Sequence, residues 1–475
     1  MLDPSKNIIP DKIKTIHLTA ICGSAMSALA AILKDLGYKV TGSDANAYPP
    51  ISDFLDSKRI RIKQGYKSEN LFYKPDIVII GNAISADNPE AVYVKKANLN
   101  YCSMPQAINK FACKNKKIIL ITGTHGKTTT SAILASIMEN AKLDPSFIIG
   151  GISKKFNTGY KIGKGEYIIL EGDEYDTAFF DKGPKFLHYK PEITVLTSIE
   201  FDHADIYEDI EHIKKSFKAL LRNMPKNKTL FAYDSDAQTD SVIKSKTKKY
   251  NIQRYGLTKN ADIQIRNLKF KQNKSQFKLF IQNKEFYQFT SSLIGEHNIT
   301  NAAAAIGVAN ALKIPPEKIA CGIKEFCGVK KRQEIIGTKN GVTVIEDFAH
   351  HPTAVKKTIK AIADSYNPKK LIAVFEPKSN SSIRNIFQTQ YAEAFDNADI
   401  ICIKRPTSFK NIPIAKRLSP EKLVQDLKQK NKEAYLFSNT EEIINFIAKT
   451  APPGGIALVM SNGAFDNICN RLVSK

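Results

Sequence analysis

Residues Lys116–Ser131 read KKIILITGTHGKTTTS, and this stretch decides the fold. Ile118, Ile119, Leu120 and Ile121 form a short apolar run of the kind that makes a buried strand. The run ends at Gly123, and Gly126-Lys127-Thr128 opens a helix-compatible segment over Thr129–Met138. A strand feeding a glycine turn and then a helix N-terminus makes an anion site, because backbone N–H groups and the helix dipole converge there. Lys127 adds a point charge, and the Thr128 hydroxyl is of the type that sits on Mg²⁺. Ile121 stands where the general phosphate-loop pattern has its first glycine. A plain turn with a surface lysine does not need Gly-Lys-Thr together with both flanks. The stretch is read as a nucleotide phosphate site.

The same geometry recurs downstream. Tyr167–Leu170 is another short buried strand, and it delivers Glu171-Gly172-Asp173-Glu174-Tyr175-Asp176. Four carboxylates at a strand end beside a phosphate site are costly unless a cation or donors compensate them, and the pattern suits Mg²⁺. Alone, the hexapeptide would read as an acidic surface loop. A third apolar strand, Thr194–Ile199, ends the same way at Glu200-Phe201-Asp202-His203-Ala204-Asp205. Two acidic strand ends behind a phosphate loop form a constellation.

Upstream, residues 13–44 read as strand, glycine turn, helix, strand. The run Ile16–Ala20 meets Cys22-Gly23-Ser24, an alanine-rich helix follows to about Leu36, and Lys39–Gly42 leads to Asp44. This is a βαβ unit with an acidic residue about twenty positions past the turn. Its turn holds one glycine, so a nucleotide sugar is as good a ligand as NAD. A second strand, Asp76–Ile80, ends at Gly81-Asn82, and Asn115-Lys116-Lys117 marks the seam with the next domain.

Beyond the acidic segments, residues 261–290 alternate: Ile263, Ile265, Leu268, Phe270, then Phe277, Leu279, Ile281, then Phe286. Breaks at Gln272-Asn273-Lys274 and Asn283-Lys284 make this a small antiparallel meander. Asn298 reads as the N-cap of a helix through Ala311, with Asn301 on the same face. His297, Asn298 and Asn301 together suit the edge of a nucleobase. From Gly341 the βα alternation restarts. Val342–Ile345 ends at Glu346-Asp347, and Phe348-Ala349-His350-His351-Pro352-Thr353 opens a helix. Leu371–Phe375 ends at Glu376-Pro377-Lys378-Ser379-Asn380; Asp399–Ile403 and Gly455–Met460 are further strands. Of eight histidines, His125, His203, His297, His350 and His351 all fall at such ends, which packing alone does not explain.

Composition sets the outer limits. With 475 residues, 43% hydrophobic and 25% charged, the chain is globular and long enough for two to four domains. No stretch approaches the roughly 18–20 apolar residues of a membrane span, and MLDPSKNIIP has no apolar signal core, so the expected location is cytoplasmic, with no membrane partner. The seven cysteines are scattered without a C-x-x-C pair, which supports neither a disulfide framework nor a zinc knuckle. The net charge of +23 comes from sixty lysines and only ten arginines. Base readout favours arginine, so no nucleic acid is expected, while the lysines attract anionic small substrates.

Together TGTHGKTTT (122–130), EGDEYD (171–176), IEFDHAD (199–205), GEHNITNAAAA (295–305) and EDFAHHPTA (346–354) resemble the Mur ligase family, over essentially the whole chain. The resemblance implies an α/β protein of three domains, each on a mainly parallel doubly wound sheet: a UDP-muramyl-binding Rossmann-like domain (1–113), a central phosphate-loop ATPase domain with the meander added (114–330), and a C-terminal Rossmann-like peptide-binding domain (331–475). It implies an ATP-dependent ligase that activates the lactyl carboxylate of UDP-N-acetylmuramate as an acyl phosphate and transfers it to an amine. Two branches share the HHPT motif, one taking L-alanine and the other the tripeptide L-Ala-γ-D-Glu-meso-diaminopimelate in peptidoglycan recycling. The alanine branch typically has serine at Tyr175, Tyr-Gly at Phe348-Ala349 and an Arg-Tyr-Thr-Arg stretch near 378–381. GNAISADNPE (81–90), FEPKSN (375–380) and MSNGAF (460–465) resemble the tripeptide branch instead, so the expected small-molecule substrates are UDP-N-acetylmuramate and the muropeptide; the oligomeric state stays open.

By the same resemblance, Gly123, Thr124, His125, Gly126, Lys127, Thr128 and Thr129 would cradle ATP phosphates, and Thr128 with Glu171 would hold one Mg²⁺. His203, with Glu171, would hold a second. His297, Asn298 and Asn301 would flank the adenine, Arg332 would reach the γ-phosphate, and Asp347 would hold the ribose. Cys22, Gly23, Ser24, Asp44 and Asn82 would meet the UDP-sugar, though Ala20 stands where the family usually has glycine. His350, His351, Lys378, Ser379, Asn380 and Arg384 would face the peptide or the acyl phosphate. Two other classes share single features. A nucleotide-gated binding protein or motor would use the phosphate loop, and a dehydrogenase the first βαβ unit. The motor would not need polar strand ends in three successive domains, and the single glycine of the first turn argues against the dehydrogenase.

Overall fold

The computed structural model describes residues 2–49, 51–244, 249–271, 273–409 and 412–474. They cluster into two compact units. One comprises residues 1–199, 211–254 and 304–322; the other comprises 200–210, 255–303 and 323–475.

The first unit holds two sheets. The N-terminal one is wholly parallel, in the order Arg61–Gln64, Lys39–Asp44, Thr15–Thr19, Ile77–Ile80, Tyr101–Ser103. Strand order reverses beside Thr15–Thr19, so the ends of that strand and of Ile77–Ile80 flank a crevice of the kind that takes ligands in open α/β sheets. The second runs Thr229–Tyr233, Ile193–Leu196, Lys117–Thr122, Tyr167–Gly172, Ser146–Ser153, Thr158–Lys161, parallel except for the last hairpin. Lys117–Thr122 is buried at every position after its first, because helices cover both faces of such a sheet.

In the second unit the parallel sheet runs Val342–Asp347, Ile456–Met460, Leu371–Phe375, Ile400–Lys404, Glu433–Phe437, with Glu334–Lys339 antiparallel at its edge. Val355, Ile359, Tyr391 and Leu423 pack in one core, Ile443, Ile447 and Ile468 in another, which is the doubly wound arrangement. The expected meander is present as Ile263–Lys271, Lys274–Ile281 and Lys284–Ser291; Gln272, assigned to its first break, lies outside the described residues.

Three expected boundaries shift, each for a local reason. The helix after the phosphate loop is Lys127–Asn140, two residues longer at its start, because Gly126 at φ +80° serves as N-cap and accepts the Thr130 N–H. The helix Glu296–Ala311 begins before Asn298, so that residue is not its N-cap. Gly295 at φ +85° starts the turn, and its carbonyl accepts from both Asn298 and Ile299. The strand Ile193–Leu196 stops short of Ile199, because Thr197 and Ser198 leave the sheet to brace the phosphate loop. None of the seven cysteines is in a disulfide. Among the described residues no helix is long and apolar enough to cross a membrane.

Candidate functional site

The phosphate loop joins Lys117–Thr122 to Lys127–Asn140 and is held from behind. Thr124 N–H donates to the Ser198 carbonyl and His125 N–H to its hydroxyl, while Thr197 Oγ1 donates to the carbonyls of Thr122 and His125. Gly123 has φ +125°, and a Cβ there would stand 2.2 Å from Thr197 Oγ1. Only glycine fits this close approach.

Into the loop comes the strand Tyr167–Gly172, which carries Glu171 one position further than the expected strand end. Thr128 Oγ1 donates to Glu171, 3.0 Å from each carboxylate oxygen, and Gly150 N–H donates at 2.7 Å. Lys127 Nζ lies 2.7 and 3.0 Å from the oxygens of Glu174, a side chain 2% exposed, and 2.5 Å from the Gly123 carbonyl. Burial opposes the Lys127 charge, but Glu174, Asp173 and Glu171 outweigh it and hold the ammonium above its ordinary range. Lys185 Nζ meets Asp173 at 2.6 Å. Desolvation disfavours the Asp173 carboxylate, yet Lys185 and Lys127 hold its pKa down at about 2. Lys185, fourteen residues beyond Glu171, was not among the candidates; it neutralises an acidic segment whose charge alone had been visible.

The second unit gathers the other acidic strand end with two of the histidines. His351 caps the helix Pro352–Tyr366: Thr353 N–H donates to its Nδ1, and its Nε2 donates to the Phe201 carbonyl at 3.2 Å. Through these two bonds His351 ties the Phe201 loop to the helix start. Thr353 donates to Glu200 at 2.6 Å. His350 Nδ1 donates to the Phe348 carbonyl at 3.0 Å and turns Nε2 toward Asp202 at 3.9 Å. Burial raises the cost of the Asp202 charge, but His203, His350 and His351 together with the Ser381 hydroxyl hold its carboxyl well below the ordinary range. His203 has φ +54°, rare for a residue with a side chain, and Ala204 N–H and Asp205 are held by Ser381 and Asn380 at 3.2 and 2.7 Å. Arg384 sits one turn on, its Nε donating to the Asn380 carbonyl.

Near the helix Glu296–Ala311, Gln333 links two candidates. Asn298 Nδ2 donates to its Oε1 at 3.0 Å and its Nε2 is 3.4 Å from His297 Nε2, while Asn301 is 9% exposed on the same helix. Gln333 was missed because its place depends on a φ of +47° that a glutamine does not announce. The buried Asp347 accepts from the N–H groups of Gln333 and Ala349, each at 2.7 Å. Burial pushes its pKa up despite Arg332 and those bonds. The Arg332 guanidinium lies over the Phe348 ring, 4.3 Å from its centroid.

At the N-terminal sheet, Asp44 accepts from Cys22 N–H at 2.9 Å and Asn46 N–H at 3.1 Å, so its carboxylate shapes the turn. Gly23, Ser24 and Asn82 are exposed. Burial and Asp44 push the Cys22 thiol up to about 11, which keeps it neutral. Ala20 has φ +63°, a conformation glycine adopts without strain. Behind the turn lies a buried network that the sequence did not announce. Ser43 donates to Glu90 at 2.6 Å, Asn70 at 2.7 Å, and His17 Nε2 lies 3.7 Å away.

Three family models match three successive segments. Mur ligase family, catalytic domain, matches residues 15–116; Mur ligase middle domain matches 121–309; and Mur ligase, glutamate ligase domain, matches 331–463. The chain is 35% identical over 463 residues, 96% of its length and 97% of the relative's, to the UDP-N-acetylmuramate–L-alanyl-γ-D-glutamyl-meso-2,6-diaminoheptandioate ligase of Escherichia coli K12. It is 32% identical, over 95% of its length and 96% of the relative's, to a UDP-N-acetylmuramate–L-alanine ligase of Endomicrobium trichonymphae. A solved murein peptide ligase from Psychrobacter arcticus superposes with a TM-score of 0.72 at 29% identity, covering 98% of each chain. With the phosphate loop and acidic strand ends in place, the chain belongs to the Mur ligase family and is an ATP-dependent ligase that forms an amide bond.

Proposed function

We propose that this chain joins L-Ala-γ-D-Glu-meso-diaminopimelate to UDP-N-acetylmuramate, in the cytoplasm where ATP is supplied. The observation that carries this reading is the full-length match, at 35% identity, to a ligase named for that tripeptide. Lys378-Ser379-Asn380, where an alanine ligase would have an arginine-rich stretch, supports it. The segments 1–113, 114–330 and 331–475 are proposed to bind the UDP-sugar, ATP and the peptide.

A carboxylate does not react with an amine at neutral pH. The muramyl carboxylate attacks the γ-phosphate of ATP, giving an acyl phosphate and ADP; the peptide amine then attacks the carbonyl and phosphate leaves. Both steps build negative charge on oxygen, so the protein's task is positioning and positive charge. Lys127 meets the terminal phosphates, and the loop N–H groups from Gly123 to Thr129 cradle them. The Thr128 hydroxyl and the two Glu171 oxygens lie within 3.0 Å, a set of hard oxygens that fits Mg²⁺. Mg²⁺, when bound, neutralises charge on the phosphate oxygens. His203 as a further cation ligand, Arg332 as a phosphate partner, and His297, Asn298, Asn301 and Asp347 around the nucleoside rest on residue resemblance. Cys22, Gly23, Ser24, Asp44 and Asn82 are assigned to the UDP-sugar, and His350, His351, Lys378, Ser379, Asn380 and Arg384 to the peptide.

The test is direct. UDP-N-acetylmuramate and ATP are supplied with the tripeptide or with L-alanine, and product masses are compared. Comparable or better turnover of L-alanine would replace this reading by the alanine ligase.

A further inference from the structure

Lys404 ends the strand Ile400–Lys404 in the second unit, and its side chain is only 3% exposed. Two carboxylate oxygens stand near its Nζ, Glu376 Oε1 at 3.6 Å and Asp466 Oδ2 at 3.8 Å, and the Phe465 ring centroid is 5.7 Å away. The carboxylates balance the charge, yet both lie beyond hydrogen-bond distance. Among the described residues none accepts a hydrogen bond from this ammonium, which has three N–H groups to give. Glu376 instead accepts from the Ser461 hydroxyl, and Asp466 from that of Thr440, each at 2.6 Å. An enclosed ammonium without an acceptor is costly, and a ligand that brings one offsets the cost.

The flanks of Lys404 are open. The Asp466 side chain is 63% exposed, and that of Lys378, whose Nζ lies 4.0 Å from Glu376, is 48% exposed. Phe465, Asp466 and Asn467 take φ of +43°, +47° and +55° in succession, a left-handed turn that costs free energy at each residue and sets Asp466 beside Lys404. The Thr440 hydroxyl, with Lys404 and Lys378, outweighs burial and holds the Asp466 carboxyl below its ordinary range, so it is ionised. An open ammonium next to an exposed carboxylate matches a ligand of both signs on one carbon. In L-Ala-γ-D-Glu-meso-diaminopimelate only the far end of the third residue is such a group, because every other α-amine or α-carboxyl has its partner tied up in an amide. The placement suits that end. Residues 376–380 lead from this cluster to Asn380, which donates to Asp205 in the loop of His203. Those four steps of chain reach about 14 Å at most, and three peptide residues reach about 10 Å before the third side chain is added.

We propose that Lys404 takes the far carboxylate of diaminopimelate while Asp466 faces its ammonium, so that this strand end selects the third residue of the peptide. The proposal rests on the tripeptide reading given above. The test measures kcat/KM of the full-length chain for L-Ala-γ-D-Glu-meso-diaminopimelate and for L-Ala-γ-D-Glu-L-Lys, which keeps the far ammonium and lacks the far carboxylate. Wild type should favour the first. Lys404→Met should lower kcat/KM for the diaminopimelate peptide by about tenfold or more, mainly through KM, the scale of one charge-assisted hydrogen bond. The lysyl peptide should lose far less, so the preference collapses. Asp466→Asn, at an exposed position, should weaken both peptides by a similar factor, and it carries the test if Lys404→Met does not fold. An unchanged preference in Lys404→Met, equal losses on both peptides in that variant, or an Asp466→Asn protein with both KM values unaltered overturns the assignment. If wild type ligates L-alanine and neither tripeptide, the substrate reading itself fails and the assignment falls with it.

Discussion

Thr128 Oγ1 stands 3.0 Å from both oxygens of Glu171, and the two residues come from different secondary-structure elements, the first turn of a helix and the last positions of a strand. Parallel pairing of Lys117–Thr122 with Tyr167–Gly172 sets Ile121 opposite Glu171, which fixes the carboxylate's height against the loop. Glu171→Gln should therefore raise the Mg²⁺ concentration needed for half-maximal ligation, and His203→Ala should do the same if it is a ligand. Titrating MgCl₂ at saturating ATP reads this. An unchanged Mg²⁺ dependence with a lower melting temperature would mean a purely structural part for the residue tested.

Lys127→Ala should reduce ligation by at least about 10²-fold, the scale for removing one charge-stabilising group. Binding of the UDP-sugar should stay nearly intact, because its proposed residues end the strands of a different sheet. Steady-state rates and a separate UDP-sugar titration check the two halves. Retention of half the activity would remove Lys127 from the mechanism.

Asp202 gives a prediction in pH. Its carboxyl is held below the ordinary range by three histidines and a serine, so its folded pKa is depressed. Stability from a depressed carboxyl is present above the unfolded pKa and is lost as pH falls through the folded one. Asp202→Asn should thus lower the melting temperature by its full amount above about pH 5, and the gap to wild type should begin to narrow below about pH 4, the unfolded carboxyl range, and go on narrowing as pH falls toward the depressed folded value. A gap that stays constant well below about pH 4 would mean the loss is one of packing.

Arg384→Ala should weaken the tripeptide by about an order of magnitude and ATP far less, if the guanidinium pairs with a distal carboxylate of the peptide. The comparison is of KM for each substrate. Equal effects on both would place the residue's contribution in holding the Asn380 carbonyl.

The sequence made the repeated unit of strand, turn and polar end legible because a buried parallel strand is a near-continuous apolar run and its terminus is marked by a change of chemistry. Hence Glu171, Asp347 and Lys127 could be singled out from the sequence, while Asp202 was visible only as part of an acidic segment. Pairings across the chain were not legible. That Lys127 meets Glu174 while Lys185 meets Asp173 depends on how the acidic segment folds back, and no spacing rule encodes it. Asn298 as an N-cap failed because capping propensity competes with backbone conformation, and Gly295 in the left-handed region started the helix first. Asp44 shows what a strand-end reading leaves out: its carboxylate also accepts from the turn's own N–H groups, at Cys22 and Asn46.

The closed Lys127–Glu174 pair also sorts inhibitor chemistry. A phosphonate or polyphosphate mimic that takes the ammonium has to displace Glu174, so its potency should rise when Glu174 is replaced by glutamine. An uncharged compound that leaves the pair closed gains nothing from that substitution. A screen run on both proteins would separate these scaffold classes before any complex was solved.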